Sequence, residues 1–238
     1  MSRYIFFDTE TSGTGNNARV IQFSAIITDE NLVVTDAFDE YCMIDGDIPP
    51  EVLQIHGIDK NKLAKLSGGQ TILDVVEKHK DILRGKGNVW VGYNTPFDIR
   101  KIQDSIDSEK IKVLNEEVNI PEYLLNPNEP IIDFGSTVMD EFPIASDTRN
   151  VNYDLMRYYY KKLDLKVWAK LGVIVDDVLG EEGKAYAMNI FENSILSKFT
   201  NRRKPQFHDA LFDAFICWFL FTVEKEDNWA NTKKFSLS

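Results

Sequence analysis

The chain has 238 residues and a formal net charge of -11, and 43% of its residues are hydrophobic and 27% charged. This composition is typical of a soluble globular protein with one sizeable core. The acidity argues against a protein that coats nucleic acid without selectivity, although residues 151–207 hold ten Lys and Arg against seven Asp and Glu.

Membrane and secretory functions are not expected. The longest apolar run, residues 210–221, contains Asp213 and is shorter than a membrane span. The first predicted strand begins almost at Met1, so we expect no signal peptide. Cys42 and Cys217 both lie in apolar surroundings, which favours core positions in a reduced, cytoplasmic protein.

The first predicted strand leads into two carboxylates. Residues 4–7 form a short aromatic and β-branched run, which indicates a buried strand, and Asp8 and Glu10 follow. Side chains two apart on an extended chain point the same way, so both carboxylates face one spot. Two such anions repel each other unless a cation lies between them, and Mg²⁺ and Mn²⁺ prefer carboxylate oxygens. With the glycine loop 11–15, the pair predicts half of a metal site; the alternative is a solvated strand end.

An antiparallel meander and several helices are predicted next. Residues 20–28 and a segment within 32–43 indicate strands joined by a turn at 29–31. Two short helices are expected near 51–55 and 59–66. Between them lies His56, a candidate ligand for which local packing is the favoured interpretation. The apolar spacing of residues 70–83 predicts a further helix, which the following glycines end.

A fourth buried strand, at 88–91, precedes Asp98. Thr95 is a suitable N-cap and Pro96 suits a first helical turn, so Asp98 is expected in that turn. An acid there can simply stabilise the helix by its interaction with the positive end of the helix dipole. The functional alternative is a third metal ligand at the carboxyl end of a strand, where α/β proteins place their sites.

The middle of the chain carries weaker patterns. Residues 107–130 predict an irregular insertion, 131–134 a fifth short strand and 140–152 a loop. Residues 153–172 predict one or two helices that end at Gly172. An acidic loop and a helix near 184–199 are expected within 173–206. The basic Arg202 and Arg203 are either a solvated turn or contacts to backbone phosphate.

The last informative stretch is residues 207–221. From Ala210 onward it predicts a buried helix, apolar nearly all round, in which Asp213 is the one charge. A lone carboxylate there costs several kcal/mol unless it is paired or binds a metal, which favours a ligand. His208 is expected at or just before the helix start, and histidine is the side chain best suited to titrate near neutral pH.

In this order the motifs resemble those of the DEDDh (DnaQ-like) 3′→5′ exonucleases, which have the ribonuclease H-like fold. The three matching motifs are Asp8-Thr9-Glu10-Thr11-Ser12-Gly13, Asn94-Thr95-Pro96-Phe97-Asp98 and His208-Asp209-Ala210-Leu211-Phe212-Asp213-Ala214. Ile55-His56-Gly57-Ile58 resembles the family's His-Gly-Ile turn, and Leu165–Val173 resembles its helix before the third motif. Residues 17–60 are most similar to the nuclease domain of the exonuclease I branch.

The resemblance implies an α/β fold with a mixed five-stranded sheet flanked by helices. One domain would span 1–238, with insertions near 107–130 and 173–206. It further implies hydrolysis of single-stranded DNA from the 3′ end, with release of nucleoside monophosphates. Two Mg²⁺ ions about 3.5–4 Å apart, for which Mn²⁺ can substitute, would hold the scissile phosphate.

The same resemblance assigns the site residues. Asp8 would bridge both ions, Glu10 and Asp213 would hold the ion next to the nucleophilic water, and Asp98 would help hold the other. His208 would be the general base. The expected substrate contacts are Thr9, Thr11, Ser12, Asn94 and Phe97, with Arg202 and Arg203 near the phosphates, although Phe97 is equally compatible with a core position.

Three alternatives remain open. An exoribonuclease or oligonucleotide-trimming enzyme would have the same motifs, because the 2′-OH is sensed by contacts outside them. A polymerase-associated proofreading exonuclease would need a partner surface, and the sequence names no protein partner. An inactive exonuclease fold that only binds is disfavoured, because all four carboxylates and the histidine are present.

Overall fold

A mixed six-stranded sheet is the centre of the computed structural model, which describes residues 3–116, 130–138, 149–199 and 206–226. The strands are β1 (Arg3–Thr11), β2 (Val20–Thr28), β3 (Val34–Tyr41), β4 (Asn88–Gly92), β5 (Ser136–Val138) and β6 (Val151–Asp154). Their order is β3-β2-β1-β4-β6-β5. The pairs β1–β2 and β2–β3 are antiparallel, and β1–β4, β4–β6 and β5–β6 are parallel.

The described helices cover both faces of this sheet. They are α1 (Pro50–His56), α2 (Lys60–Ser67), α3 (Ile72–Lys78), α4 (Lys80–Leu83), α5 (Thr95–Glu116), α6 (Leu155–Lys162), α7 (Leu171–Asn193) and α8 (Ala210–Lys225), with a 3₁₀ turn at Ile195–Lys198. None of these described helices combines the length and the apolar composition needed to cross a membrane.

The alternation of side chains along β1 assigns its residues to two cores. Tyr4 and Phe6 pack against Phe221 of α8, with ring centroids 5.4 and 5.5 Å away. Phe7 points to the other face, where its ring meets the edge of Trp90 at 5.4 Å in the core formed with α3 and α5. Because successive side chains along a strand point to opposite faces, Asp8 lies on the face covered by α8 and Thr9 on the face covered by α5.

The predicted α/β class and the opening meander are confirmed, but the described residues form a sheet of six strands instead of five. Residues 131–134, predicted as the fifth strand, have no regular structure, and the strand β5 follows them. Ile131, Ile132 and Phe134 are buried in the α5-side core, so their apolar run reflects packing and not strand pairing. The additional strand β6 occupies the end of the predicted loop 140–152 and the beginning of the predicted helix.

The region after β6 also differs from the prediction. The helix expected over 153–172 ends at Lys162, and Gly172 lies at the start of α7 instead of ending a helix. The segment expected as an acidic loop is helical. Gly180, with a φ of 62°, interrupts the regular helix within α7. Before it, Asp176 and Asp177 are exposed while Ile174, Val175 and Leu179 are buried, so these two acids mark the outer face of the first part of α7.

The predicted irregular insertion 107–130 begins inside α5, which continues to Glu116. Residues 117–129, 139–148 and 200–205 lie outside the described residues, as do the candidate phosphate contacts Arg202 and Arg203.

Close packing at Gly92 holds the carboxyl end of β4 against β1. A Cβ atom at this position would lie 2.9 Å from the Phe7 carbonyl oxygen and 3.1 Å from Thr95 Cγ2. Phe7 precedes Asp8 and Thr95 begins α5, so the absence of a side chain at Gly92 brings the Asp8 and Asp98 backbones together.

We predict that Gly92→Ala lowers the free energy of unfolding by about 1–3 kcal/mol, because the added methyl group displaces backbone that cannot rotate away. Gly46→Ala is the matched control, since a Cβ there meets nothing within 4 Å. It should change stability by less than about 1 kcal/mol. Urea unfolding of both variants measures the difference, and equal stabilities would contradict the packing argument.

Candidate active site

A cavity of about 640 Å³ opens at the carboxyl ends of β1 and β4. Its volume lies within the range of about 300–1,000 Å³ typical of ligand sites. Ten of the candidate residues from the sequence line it: Asp8, Thr9, Glu10, Thr11, His56, Asn94, Phe97, Asp98, His208 and Asp213. The fold therefore brings together side chains that are about 200 residues apart in the chain.

Asp8 lies in the middle of the acidic group. Burial raises its pKa well above the usual range, and the carboxylates of Asp98, Asp213 and Glu10 raise it further. Glu10, two residues after Asp8 on the same face of β1, is buried. Without a cation, the charged forms of these groups repel each other and are poorly solvated.

Asp98 is held by the backbone and side chain of Thr9. Its Oδ1 accepts one hydrogen bond from the Thr9 N–H at 3.2 Å and another from the Thr9 hydroxyl at 2.6 Å. Asp98 lies in the first turn of α5, as predicted, and is buried. Burial raises its pKa to about 7, and Asp154 contributes to that rise, while the Thr9 hydrogen bonds oppose it.

The beginning of α8 presents His208 and Asp213. His208 precedes the helix with a positive φ of 65°, and its backbone N–H donates to Asp213 Oδ2 at 3.0 Å. Asp213 is buried while the His208 side chain is exposed. Glu10, His208 and Asp213 each place one donor atom so that all three atoms lie within 4.8 Å of one another.

This donor set fits a hard divalent cation. The carboxylate oxygens suit Mg²⁺ or Mn²⁺, and burial, with the charge of neighbouring acids added to it, raises the pKa values of Asp8 and Asp98. A bound cation would favour the ionised carboxylates and remove the repulsion between them.

One acid of the site was missed by the sequence analysis. Asp154 ends β6, the strand next to β4, and its Oδ1 accepts hydrogen bonds from the backbone N–H groups of Asn94 and Met156. Burial raises its pKa. Asp154 thereby fixes the backbone before Asp98 and caps α6. An acid just before a helix is a signal for an N-cap. The sequence predicts a helix that begins at residue 153, so Asp154 falls inside the predicted helix and this signal is hidden.

The remaining candidate residues differ in their placement. The Ser12 hydroxyl accepts a hydrogen bond from the Arg19 N–H, and the Thr11 hydroxyl donates to the Gly13 carbonyl, so both are used within the loop after β1. Ser12 is not part of the cavity lining, whereas Phe97 is partly exposed there. His56 is buried and its Nδ1 accepts from the Ile58 N–H, consistent with the predicted local packing.

Part of the cavity wall is apolar and was not expected from the sequence. It consists of Val52 and Ile55 of α1, Met156, Leu171, Val173 and Phe207. Ile55 and Val173 are also about half exposed, which makes this wall accessible to a flat, apolar ligand surface such as a nucleobase.

The clustered acids form a candidate metal site at the strand ends of an α/β fold, and the sequence comparison gives the family. The profile of the RNase_T exonuclease family matches residues 5–124, half of the chain. The chain belongs to this family, which confirms the DnaQ-like exonuclease predicted from the motifs. The match includes the first two motifs, while His208 and Asp213 lie beyond it. No curated protein matches the chain in sequence.

Solved structures of exonuclease I share the fold. E. coli exonuclease I in complex with a 5cy-dA13 oligonucleotide is 18% identical, with a TM-score of 0.56 over 94% of this chain and 41% of that one. The zinc-bound complex of the E. coli enzyme with single-stranded DNA is also 18% identical (TM-score 0.54, 97% and 42%). The Methylocaldum szegediense enzyme is 17% identical (TM-score 0.52, 97% and 42%).

These similarities confirm the ribonuclease H-like fold class. The chain spans about two fifths of the length of these exonucleases.

We predict that Asp8→Asn stabilises the metal-free protein. Folded Asp8 and Asp98 keep protons that the unfolded chain releases near pH 4, so stability should fall as the pH rises from about 4 to about 7. At pH 8 in EDTA, the uncharged isostere should raise the free energy of unfolding by about 1–2 kcal/mol. Mg²⁺ should stabilise the wild type more at pH 8 than at pH 5.5, and should stabilise Asp8→Asn far less.

Urea unfolding at both pH values, in EDTA and in Mg²⁺, measures these differences. Asp177→Asn is the control, because Asp177 is exposed on α7 outside the cavity. It should change stability by less than about 0.5 kcal/mol. Two results would contradict repulsion between the carboxylates. One is an Asp8→Asn protein that is less stable than the wild type in EDTA, and the other is an Asp8→Asn protein that Mg²⁺ stabilises as much as the wild type.

Proposed function

We propose that the chain is a metal-dependent 3′→5′ exonuclease that releases nucleoside monophosphates from single-stranded DNA. The observation that supports this most strongly is the single cavity lined by Asp8, Glu10, Asp98, His208 and Asp213. The exonuclease family of the chain supports the reaction class. Single-stranded DNA is proposed because exonuclease I, which shares the fold, was solved in complex with it.

Two Mg²⁺ ions, or Mn²⁺ in their place, fit this donor set. We propose that Asp8 contributes to both ions, since its carboxyl group interacts with Asp98 as well as with Glu10 and Asp213. Glu10 and Asp213 would hold one ion and Asp98 the other. When bound, the ions supply Lewis-acid stabilisation of the charge that develops on the phosphate.

His208 is proposed as the general base for the attacking water. Its side chain is exposed to the cavity and to solvent, so the proton that it accepts can leave to bulk water. The bond from its backbone N–H to Asp213 positions the residue next to the acids. His208 also has a nitrogen within reach of Glu10 and Asp213, so a variant that keeps a hydrogen-bonding group is the informative substitution.

The terminal nucleotide is proposed to lie against Asn94, Phe97 and the apolar wall of the cavity, with its phosphate near the carboxylates. Thr9 acts through Asp98 and is a positioning residue. Thr11 and Ser12 shape the loop after β1, and Arg202 and Arg203 remain proposed phosphate contacts. Residues 1–238 are proposed to form one exonuclease domain, with additions to the family core near 107–130 and 173–206.

We predict 3′-end hydrolysis that requires a divalent cation and Asp8. With Mg²⁺, a single strand labelled at its 3′ end should release labelled mononucleotide at once, while a 5′ label should shorten stepwise. Asp8→Ala and EDTA should abolish release. His208→Gln should lower kcat by about 10²–10⁴-fold with little change in Kd, because it removes proton transfer while leaving the carboxylates.

Matched DNA and RNA strands in the same assay identify the preferred sugar, and faster hydrolysis of RNA would support the exoribonuclease alternative. Asp177→Asn serves as the exposed acidic control. Absence of cleavage of either polymer with Mg²⁺ and Mn²⁺ would contradict the nuclease proposal and favour a binding module with this fold.

A further inference from the structure

An exposed aromatic and basic surface lies beside the cavity, on the last turn of α6 and the segment that joins α6 to α7. We define this Trp168 surface as Tyr160, Lys166, Trp168 and Lys170. Trp168 is 56% exposed, whereas Trp90 and Trp218 are buried. The indole packs against the Tyr160 ring in a tilted arrangement, with ring centroids 4.2 Å apart and 34° between the ring planes. This contact supports a large flat side chain at the surface without burying it.

The charge around this surface is opposite to that of the whole chain. Residues 157–170 contain five Lys and Arg and one Asp, in a chain of net charge -11. Arg157 pairs with Asp154, and Lys162 pairs with Glu224. Lys166 pairs with the exposed Asp164, and an exposed ion pair of this kind contributes little energy. Lys170 forms no ion pair within the described part of the chain.

The Trp168 surface is connected directly to the cavity. Ala169 and Lys170 line the cavity, and Trp168 is the residue before them. The Tyr93 hydroxyl donates to the Ala169 carbonyl at 2.5 Å, and Tyr93 lies between β4 and Asn94. A Cβ at Gly172 would lie 3.5 Å from the ring of Phe207, the residue before His208. The surface is therefore anchored to both segments that present the acidic residues.

We propose that the Trp168 surface binds the single-stranded polynucleotide whose 3′ end lies in the cavity. A nucleobase stacks on the exposed indole, and Lys166 and Lys170 lie next to the adjoining backbone phosphates. Stacking is independent of base identity, since every base has a π-face, so this surface selects single strands and not sequences. The inference rests on the proposed function for the direction of the strand, but it predicts binding that can be measured separately.

The test uses the full-length protein and 5′-fluorescein-labelled dT12, with Ca²⁺ replacing Mg²⁺, and measures Kd by fluorescence anisotropy. Trp168→Ala should raise Kd by about fivefold or more, and Trp168→Phe should restore most of the affinity. Ile111→Ala is the control, since Ile111 is 59% exposed on α5 and outside the cavity. Thermal unfolding of each variant verifies that it is folded.

A salt series tests the phosphate contacts. Lys170→Gln should reduce the slope of log K against log salt by about 0.7, the value expected for one phosphate contact on a single strand. Lys86→Gln is the matched control, because Lys86 is exposed next to the amino end of β4, away from the cavity. With Mg²⁺, the ratio of kcat/KM for dT12 to that for a dinucleotide should fall in Trp168→Ala.

The outcomes separate this inference from the proposed function. If the wild type cleaves dT12 but Trp168→Ala binds dT12 as tightly as the wild type does, the Trp168 surface does not bind the strand, and the exonuclease proposal is unaffected. If the wild type binds dT12 through Trp168 but does not cleave it, binding by the Trp168 surface is supported and the exonuclease proposal is contradicted. Absence of both binding and cleavage overturns both. A matching r(U)12 series shows whether the surface distinguishes RNA from DNA.

Discussion

Electrostatic repulsion among buried carboxylates is the constraint on which the candidate site depends. Asp8, Glu10, Asp98 and Asp213 converge on one cavity. Burial raises the pKa of Asp8 and of Asp98, and nearby acids add to the rise: Asp98, Asp213 and Glu10 for Asp8, and Asp154 for Asp98. A folded chain tolerates such a cluster only if protons or cations compensate its charge. The cluster therefore lowers the stability of the metal-free protein, as is common for functional sites.

The sheet explains how the fold supports this cluster. The parallel neighbours β1 and β4 end at the same edge, and Gly92 lets their ends approach closely. Alternation along β1 directs Asp8 and Glu10 towards α8, while Thr9 faces α5 and binds Asp98. Asp154 at the end of β6 holds the Asn94 backbone by a hydrogen bond. Backbone groups thus hold two of the ligand candidates in place, Asp98 through the Thr9 N–H of β1 and Asp213 through the His208 N–H before α8.

The sequence predicted those parts of the site that short-range chemistry determines. Asp8 and Glu10 follow from strand alternation, Asp98 from helix-start signals, and Asp213 from the anomaly of one charge in an apolar helix. The apolar wall could not be predicted, because it depends on how α1 and α7 approach the cavity. Asp154 has a helix-start signal, but its bond to the Asn94 backbone depends on which strand lies beside β4. Likewise, Ile131 and Phe134 contribute to the core without forming a strand, and the apolar pattern alone does not distinguish these cases.

Binding of divalent cations by the carboxylate cluster can be measured by a Mn²⁺ titration followed by electron paramagnetic resonance. With a nucleoside monophosphate present at pH 8, we expect two bound Mn²⁺ per wild-type chain, loss of both in Asp8→Ala and unchanged binding in Asp177→Asn. Wild-type protein that binds no Mn²⁺, or Asp8→Ala protein that binds as much as the wild type, would show that the cluster is not a divalent-cation site.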